Sequence, residues 1–210
     1  NHRDAVAEAA SEPRHELRGR VMSRRSIVAV ELCLRHDPHV QATLRALLEQ
    51  SRRPLGHQDK WNLYGQATAA LLAAQAHWHR GCWDFFDDDA RARGDFNMWV
   101  SGMLTEEGAR ATPSTGDPYR SGGRGFLTFT MAALMVQGAP SERRLMKACD
   151  IPESRLWHAS TFQHVLASLR YLNFASVEAS TMYLIPRDPA YALTDEDLRH
   201  PKFEYLRPIV

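Results

Sequence analysis

Residues 26–34, with the sequence SIVAVELCL, alternate strictly between two sets of side chains. The first set is Val28, Val30, Leu32 and Leu34, and the second set is Ile27, Ala29, Glu31 and Cys33. Because successive side chains of a β-strand point to opposite faces of the sheet, each set belongs to one face. The segment therefore predicts a strand, and a strand requires a sheet around it.

Two later segments predict further strands of the same sheet. FLTFTMAALMV, residues 126–136, has apolar residues at period two and also fits a helix. Its early threonines and phenylalanines, and the glycines on both sides, favour a buried strand. VEASTMYLI, residues 177–185, alternates as well and stops at Pro186, which has no N–H to donate to a ladder. With the helix between them, these strands are expected to form a crossover unit, and residues 26–34 to complete a small mixed sheet.

Helical patterns occupy much of the remaining chain. Asp37 followed by Pro38 is a good helix start, and apolar residues recur at helical spacing from there to residue 50. A long second helix is predicted over residues roughly 58–79, and another over residues 160–172. Residues 79–104 show no dominant period, and short helices joined by turns are expected there.

The two ends of the chain differ in character. Residues 1–25 are polar and rich in alanine and arginine, and predict an N-terminal arm that needs a partner surface to become ordered. Residues 26–210 are predicted to form a single α+β domain, with a loop insertion near residues 106–125 that is rich in glycine, proline, serine and threonine. Near the C-terminus, Thr194 and Asp197 have the spacing of a capping box, and the flanking Leu193 and Leu198 that of a hydrophobic staple.

Four stretches of the chain form a characteristic series: SIVAVELCLRHDPHVQATLRALLEQ, YGQATAALLAAQAHWHRGCW, GFLTFTMAALMVQG and the region from STFQHVLASLRYLNF to EYLRPI. Together they resemble an uncharacterised family of bacterial, algal and plant proteins, number 1517 of the domains of unknown function. The family's strand, proline stop and acidic turn are matched here by Val177, Glu178, Pro186, Leu193, Thr194, Glu196 and Leu198. The resemblance implies a thylakoid-associated protein of plastids that adjusts photosynthesis. It also implies that an upstream segment, now removed, targeted the protein to the plastid. It implies no known catalytic residue.

The charge balance excludes a strong global attraction to nucleic acid or to anionic membranes. The chain carries 26 basic and 25 acidic side chains, a net charge of +1. Its longest apolar run, residues 126–136, is too short to cross a bilayer as a helix, so no transmembrane segment is expected. A winged-helix nucleic-acid binder is a weaker alternative, because its recognition helix would offer only Arg170 as a cation.

The most concentrated set of metal-ligand residue types lies in HWHRGCWDFFDDD. It comprises His77, His79, Cys82, Asp84, Asp87, Asp88 and Asp89. On a helix the two histidines point to nearly opposite sides, so they could chelate one metal only if the backbone there is extended. A metal-dependent enzyme that uses this cluster is the alternative hypothesis, whereas neither a metal nor another cofactor belongs to the main prediction.

Arginines and aromatic residues mark the predicted partner-binding surface. The candidates are Arg24, Arg25, Trp78, Trp83, Phe85, Phe86 and Trp99. Most such aromatics pack in a core, but tryptophan and arginine are also favoured anchors of interfaces. The sequence therefore predicts a non-catalytic accessory, regulatory or assembly subunit, docked onto a larger protein complex. By the resemblance, that complex is associated with thylakoids in plastids.

Overall fold

The structure is a computed structural model, and it describes residues 23–104 and 125–210. Most of the predicted arm (residues 1–22) and of the predicted loop insertion (residues 106–124) lies outside the described residues. The described part is an α+β fold, as the sequence predicts. Its elements are β1 (Arg25–Arg35), α1 (Pro38–Ser51), α2 (His57–Ala73), β2 (Trp78–Phe86), α3 (Asp89–Leu104), β3 (Phe126–Val136), α4 (Pro140–Ala148), α5 (Ala159–Ser168), β4 (Val177–Ile185) and β5 (Arg207–Pro208).

The five strands form one sheet in the order β4-β3-β1-β2-β5. Each of the four pairings is antiparallel, including that between β3 and β4. The predictions of a crossover unit and of a mixed sheet are therefore wrong, because both require parallel pairing of strands. The three predicted strands themselves are confirmed. A pattern of alternation shows that a segment is a strand, but the direction of pairing depends on how the connecting helices return, which alternation does not record.

Four helices cover one face of the sheet, which we call the four-helix face. The side chains on this face of β1 point toward the helices, as do Phe129 and Met131 of β3. Those of β1 are Val28, Val30, Leu32 and Leu34. The helices contribute Leu44 and Leu47 from α1, Leu63, Tyr64, Ala67 and Leu71 from α2, Leu145 from α4, and Phe162 and Leu166 from α5. These residues form the main hydrophobic core of the described part of the chain.

The opposite face, which we call the Glu31 face, is covered by α3 and by residues 193–206. Ile27 and Ala29 pack against Ala92 and Phe96 of α3, while Cys33 packs with Leu198 and other residues of the C-terminal segment. The sheet is thus buried on both sides. Among the described helices, none combines the length and the apolar character needed to cross a membrane.

Residues 78–104 depart most from the sequence prediction. The second helix ends at Ala73 instead of near residue 79, and the following segment is a strand, β2, and a helix, α3. The prediction of short helices joined by turns is therefore wrong. A register shift opposite Cys33 and Leu34 interrupts the alternation of β2, and large aromatic residues occupy both of its faces, so the strand lacks the usual polar–apolar signature.

The two predicted helix starts are confirmed in atomic detail. Asp37 Oδ1 accepts hydrogen bonds from the backbone N–H groups of His39 and Val40, both at 2.9 Å. Thr194 and Asp197 bond reciprocally: Thr194 N donates to Asp197 Oδ2 at 2.7 Å, and Asp197 N donates to Thr194 Oγ1 at 3.1 Å. This second pair of bonds closes a tight turn that leads into a short 3₁₀ turn (Asp197–Arg199), whose own N-cap is Glu196.

Candidate functional site

A groove of about 660 Å³ lies between β4 and the helices α1 and α2 and is the candidate binding site. One wall is formed by the end of α1 and the segment that leads into α2, and the other by residues 180–184 of β4. The α1 helix ends at Ser51, and Pro54 and Gly56 separate it from α2. The recess lies between these two walls. We call this recess the basic groove.

Five of the side chains that line the basic groove are cationic, and one is anionic. The cations are Arg45, Arg52, Arg53, Lys60 and Arg187, and the anion is Glu49. Glu49 accepts from Arg52 at 2.8 Å, but both side chains are more than half exposed, so this pair neutralises little of the local field. Since the whole chain carries a net charge of only +1, the positive charge here is a local concentration.

Arg45 is a half-buried member of this set. Its guanidinium donates to the backbone oxygen of Pro186 at 2.8 Å and to that of Arg187. Its Nε is buried and has no hydrogen-bond partner among the described residues. Burial lowers the pKa of Arg45 from its ordinary value, and the nearby carboxylates of Asp188 and Glu49 oppose that shift. The site therefore holds one cation with unused hydrogen-bonding capacity.

The β4 wall of the basic groove belongs to an edge strand. β4 pairs with β3 on one side, and in the described part of the chain no strand lies on its other side. In an antiparallel edge strand, about half of the backbone N–H and C=O groups point away from the neighbouring strand. Residues 181–184 are nevertheless at most 9% exposed, backbone included, and Thr181 O accepts a hydrogen bond from the Tyr64 hydroxyl at 2.9 Å, so this part of the edge is largely covered.

A second unusual site lies on the Glu31 face, beneath the C-terminal segment. Glu31 is 1% exposed, and the hydroxyl of Tyr205 donates to its Oε2 at 2.8 Å. Burial raises the pKa of Glu31, although Tyr205, Thr128 and Thr130 favour the ionised form. Neither threonine hydroxyl meets the geometry of a regular hydrogen bond, and Glu31 Oε1 has no such partner among the described residues. A buried carboxyl with this environment can mark a functional site or store conformational strain.

Asp84 lies on the same face, one strand away, and predicts a measurable pH effect. Burial, reinforced by the charge of Asp95, raises its pKa from the ordinary 3.8 to about 6. The folded state therefore binds a proton more tightly than the unfolded state, and this group's contribution to stability falls as pH rises from about 3.8 to about 6. We expect Asp84→Asn to raise the melting temperature at pH 7 relative to the wild type, and to change it least below pH 4. Thermal unfolding followed by circular dichroism across this range tests the expectation, with the exposed Asp87→Asn as the matched control. Equal shifts for both variants would contradict it.

The predicted partner-binding aromatics do not form one surface. Trp78 is buried in the main core, and its indole N–H donates to Leu71 O at 3.0 Å. Trp83 and Phe85 pack against the same core on the four-helix face. Phe86 and Trp99 lie on the opposite, Glu31 face. Trp78 is therefore a packing residue, and the remaining four are divided between two faces. Trp83 and Phe85 alternate with Phe86 along β2, because successive residues of a strand point to opposite sides, and Trp99 belongs to α3 on the Glu31 face.

The two predicted arginine anchors lie at the start of β1. Arg24 is exposed. Arg25 forms an ion pair with Glu178 of β4, and its backbone N–H donates to Asp89 Oδ1 at 2.6 Å. Arg25 is thereby committed to contacts within the fold, which ties β1 to β4 and to the start of α3.

The histidines and acids of the proposed metal cluster are spread along the chain. His79 stacks on the ring of Phe126 at 4.7 Å, and Asp84 lies five residues further along β2, roughly 16 Å away at the rise of a strand. Asp88 Oδ1 accepts from Arg91 N at 2.9 Å at the start of α3, and Asp89 pairs with Arg93 in that helix. Among the described residues, no three histidine, cysteine or acidic side chains are grouped as metal binding requires. The cluster is dispersed because the segment folds as an extended strand followed by a helix.

Sequence reasoning did not find the basic groove. Its cations come from α1, from the segment between α1 and α2, from α2, and from Arg187 just after β4. Arg187 is far from the other four in the sequence. The pair Arg52–Arg53 was the only local signal, and such pairs are more often solvated edges. Comparison with known proteins gave no assignment: no protein-family model, no curated protein and no solved structure matches this chain.

Proposed function

We propose that this protein is a non-catalytic accessory subunit that docks onto a larger protein assembly through the basic groove. One observation carries the proposal: the recess between β4, α1 and the start of α2 is lined by five cationic side chains and one anionic one, in a chain whose net charge is only +1. A local concentration of charge attracts a partner surface of opposite charge. The surrounding charges can select the chain that binds and steer its approach.

This proposal keeps the accessory role that the sequence suggested and moves the docking surface. The expected contacts were the arm, the loops and the aromatic residues of β2 and α3, whereas the basic groove lies beside β4, at the opposite end of the sheet from β2 and β5. The plastid, thylakoid-associated setting is part of the proposal on the strength of the family resemblance alone. Docking needs only the folded domain and its partner, so the proposal requires neither proteolysis nor recruitment to a membrane.

Charge reversal in the basic groove is expected to release the partner. Arg52 and Arg53 are both exposed, so Arg52→Glu together with Arg53→Glu should leave the fold intact and reverse two of the five cations. The tagged chain is purified from its native source under mild detergent and its partners are quantified by crosslinking mass spectrometry. We expect the reversed variant to recover the partner at least about tenfold less, a difference of roughly 1.4 kcal/mol.

The matched control is Arg143→Glu with Arg144→Glu, an exposed arginine pair on α4 outside the groove. The control should keep the partner. The positions of the crosslinks give a second criterion. Lys60 lines the groove and should be crosslinked to the partner, whereas Lys147 lies outside the groove and should not. A chain that purifies as a monomer without partners, or a partner retained equally by both variants, would refute the proposed function.

A further inference from the structure

We infer that a second surface of this protein, separate from the basic groove, docks an acidic surface of a further partner protein. The surface consists of Trp61, Arg144, Arg170 and Tyr171, and we call it the Trp61 patch. Its residues come from α2, from α4 and from a short 3₁₀ helix (Leu169–Tyr171) that follows α5. None of the four is among the described residues that line the basic groove, so this inference goes beyond the proposed function and does not depend on it.

Four contacts join these residues into one continuous surface. The indole N–H of Trp61 donates to the backbone oxygen of Arg170 at 3.1 Å. The Arg170 guanidinium lies 5.0 Å from the centroid of the Tyr171 ring, and its Nη2 donates to the Tyr171 hydroxyl at 3.0 Å. The Arg144 guanidinium lies 5.9 Å from the same centroid. The tyrosine ring therefore holds two arginines from different elements, and a tryptophan lies beside them.

The Trp61 patch is open to solvent. Trp61 is 44% exposed, whereas the other four tryptophans of the chain are buried or half-buried. Arg144 and Arg170 are exposed, and Tyr171 is half-buried. Because the indole N–H is already bonded within the chain, Trp61 offers a partner the apolar surface of its ring. Tryptophan, tyrosine and arginine are the residue types most enriched among the anchors of protein interfaces, so the composition of the patch favours a protein partner.

The two arginines select carboxylates. In the described part of the chain neither Arg144 nor Arg170 forms an ion pair, so both charges can pair with a partner. Their contacts with the Tyr171 ring restrict their movement, which reduces the entropy lost when a carboxylate binds. The hydrogen bond and charge of Arg170, with the charge of Arg144, lower the pKa of the Tyr171 hydroxyl, as expected in a positive field. An acidic surface is complementary to this field.

The position of Trp61 adds a second requirement. Its indole adjoins the backbone of Arg170, so a partner whose carboxylates reach the arginines also covers the tryptophan ring. An apolar side chain at that point would remove exposed ring surface from water, which is favourable. We therefore expect the partner surface to combine aspartate or glutamate with a large apolar residue.

A single-stranded nucleic acid fits the Trp61 patch less well. Bases stack on exposed aromatic faces, but the Tyr171 ring already has two guanidinium groups beside it. A phosphate backbone is held by several cations along its path, whereas the patch contains two. Carboxylates on a protein surface need no more than these two cations, and the apolar neighbour uses the tryptophan.

Binding is measured by amide and indole N–H chemical shifts and by isothermal calorimetry, in the full chain carrying Arg52→Glu and Arg53→Glu. These substitutions weaken the attraction of an acidic probe to the basic groove and leave the Trp61 patch unchanged. The first probe is a ten-residue peptide with the repeat Leu-Glu-Glu, the second has glutamine in place of each glutamate, and the third is an oligothymidylate of ten nucleotides. The first peptide should shift the Trp61 indole signal and the amides of residues 169–171. The glutamine peptide should bind at least about tenfold more weakly.

Variants of the patch test its two chemical components in the same titration. Arg144→Gln with Arg170→Gln should weaken binding of the acidic peptide at least about tenfold. Trp61→Ala should weaken it by a similar factor, and Trp61→Phe, which keeps an aromatic ring, should restore most of the affinity. The matched control is Arg24→Gln with Arg199→Gln, which removes two exposed arginines elsewhere and should change the affinity by less than about twofold. Circular dichroism of each variant shows that the fold is retained.

The inference is overturned if the acidic peptide does not bind, if the glutamine peptide binds as tightly, or if the patch and control variants lose affinity equally. It is also overturned if the oligothymidylate binds the patch more tightly than the acidic peptide. None of these results bears on the basic groove, because two of its arginines are reversed in every chain of this titration. Loss of the native partner from the groove variant tests the proposed function separately.

Discussion

Replacement of Phe162 by alanine is expected to lower the free energy of unfolding by about 3–5 kcal/mol. Phe162 of α5 is fully buried in the main core, and its ring meets that of Trp78 edge-on at 6.5 Å between centroids. The same ring covers Gly81 of β2: a Cβ built on Gly81 would lie 2.5 Å from Phe162 Cε1. Removal of the ring therefore leaves a cavity between helix and sheet that neither backbone can easily fill.

The contact between Phe162 and Gly81 provides a specific test of this packing. Gly81→Ala alone is expected to cost about 1–3 kcal/mol, because the new methyl group overlaps a packed ring and lies 3.1 Å from Glu31 O on the neighbouring strand. In the Phe162→Ala background the same substitution should cost much less, since the ring is gone. Urea unfolding of the four chains of this cycle measures the coupling. The exposed Gln66→Ala on α2 serves as control and should change stability by less than about 0.5 kcal/mol. Additive effects of the two substitutions would contradict this packing.

Tyr205→Phe is expected to cost about 1–3 kcal/mol at neutral pH, the penalty for leaving a buried polar group without its partner. The Tyr205 hydroxyl is the one regular hydrogen-bond donor to the Glu31 carboxyl among the described residues. Its ring also meets Trp99 edge-on at 6.1 Å, a contact that phenylalanine can retain. The loss should therefore report on the hydrogen bond more than on packing, and it should be smaller in a Glu31→Gln background.

Glu31→Gln should change how stability depends on pH. Burial raises the pKa of Glu31 above its ordinary 4.5, so the folded state holds this proton more tightly than the unfolded state. Its contribution to stability is present in full below pH 4.5 and is lost as pH rises through the folded-state pKa. In the glutamine variant this loss should vanish. The free energy of unfolding at pH 7, relative to that at pH 4, should therefore be higher in the variant than in the wild type. Denaturant titrations at a series of pH values measure both chains, and parallel pH profiles for them would refute the assignment. Asp84→Asn provides a background in which the overlapping titration of Asp84 is removed.

The buried site of Glu31 and Tyr205 could be predicted only in part. The sequence showed that Glu31 shares a strand face with Ile27, Ala29 and Cys33, and this is confirmed. It did not show that this face would also be buried, because burial comes from α3 and from a segment about 170 residues further along the chain. Tyr205 reaches Glu31 across that separation, and no local pattern around Tyr205 indicates a partner.

Local patterns in the sequence determined the strands at 26–34, 126–136 and 177–185, the caps at Asp37 and Thr194, and the α+β class. These features depend on neighbours a few residues apart: alternation defines faces, and a side-chain oxygen next to a free N–H group defines a helix start. Only the tertiary structure decided that every strand pairs antiparallel, that residues 78–86 form a strand, and that β4 is left at the edge. It also decided where charge accumulates, since the five cations of the basic groove come from residues as distant as Arg45 and Arg187. Pairing direction, edge exposure and local charge are properties of chain segments brought together from far apart, and their free energies depend on long-range packing that no short stretch of sequence contains.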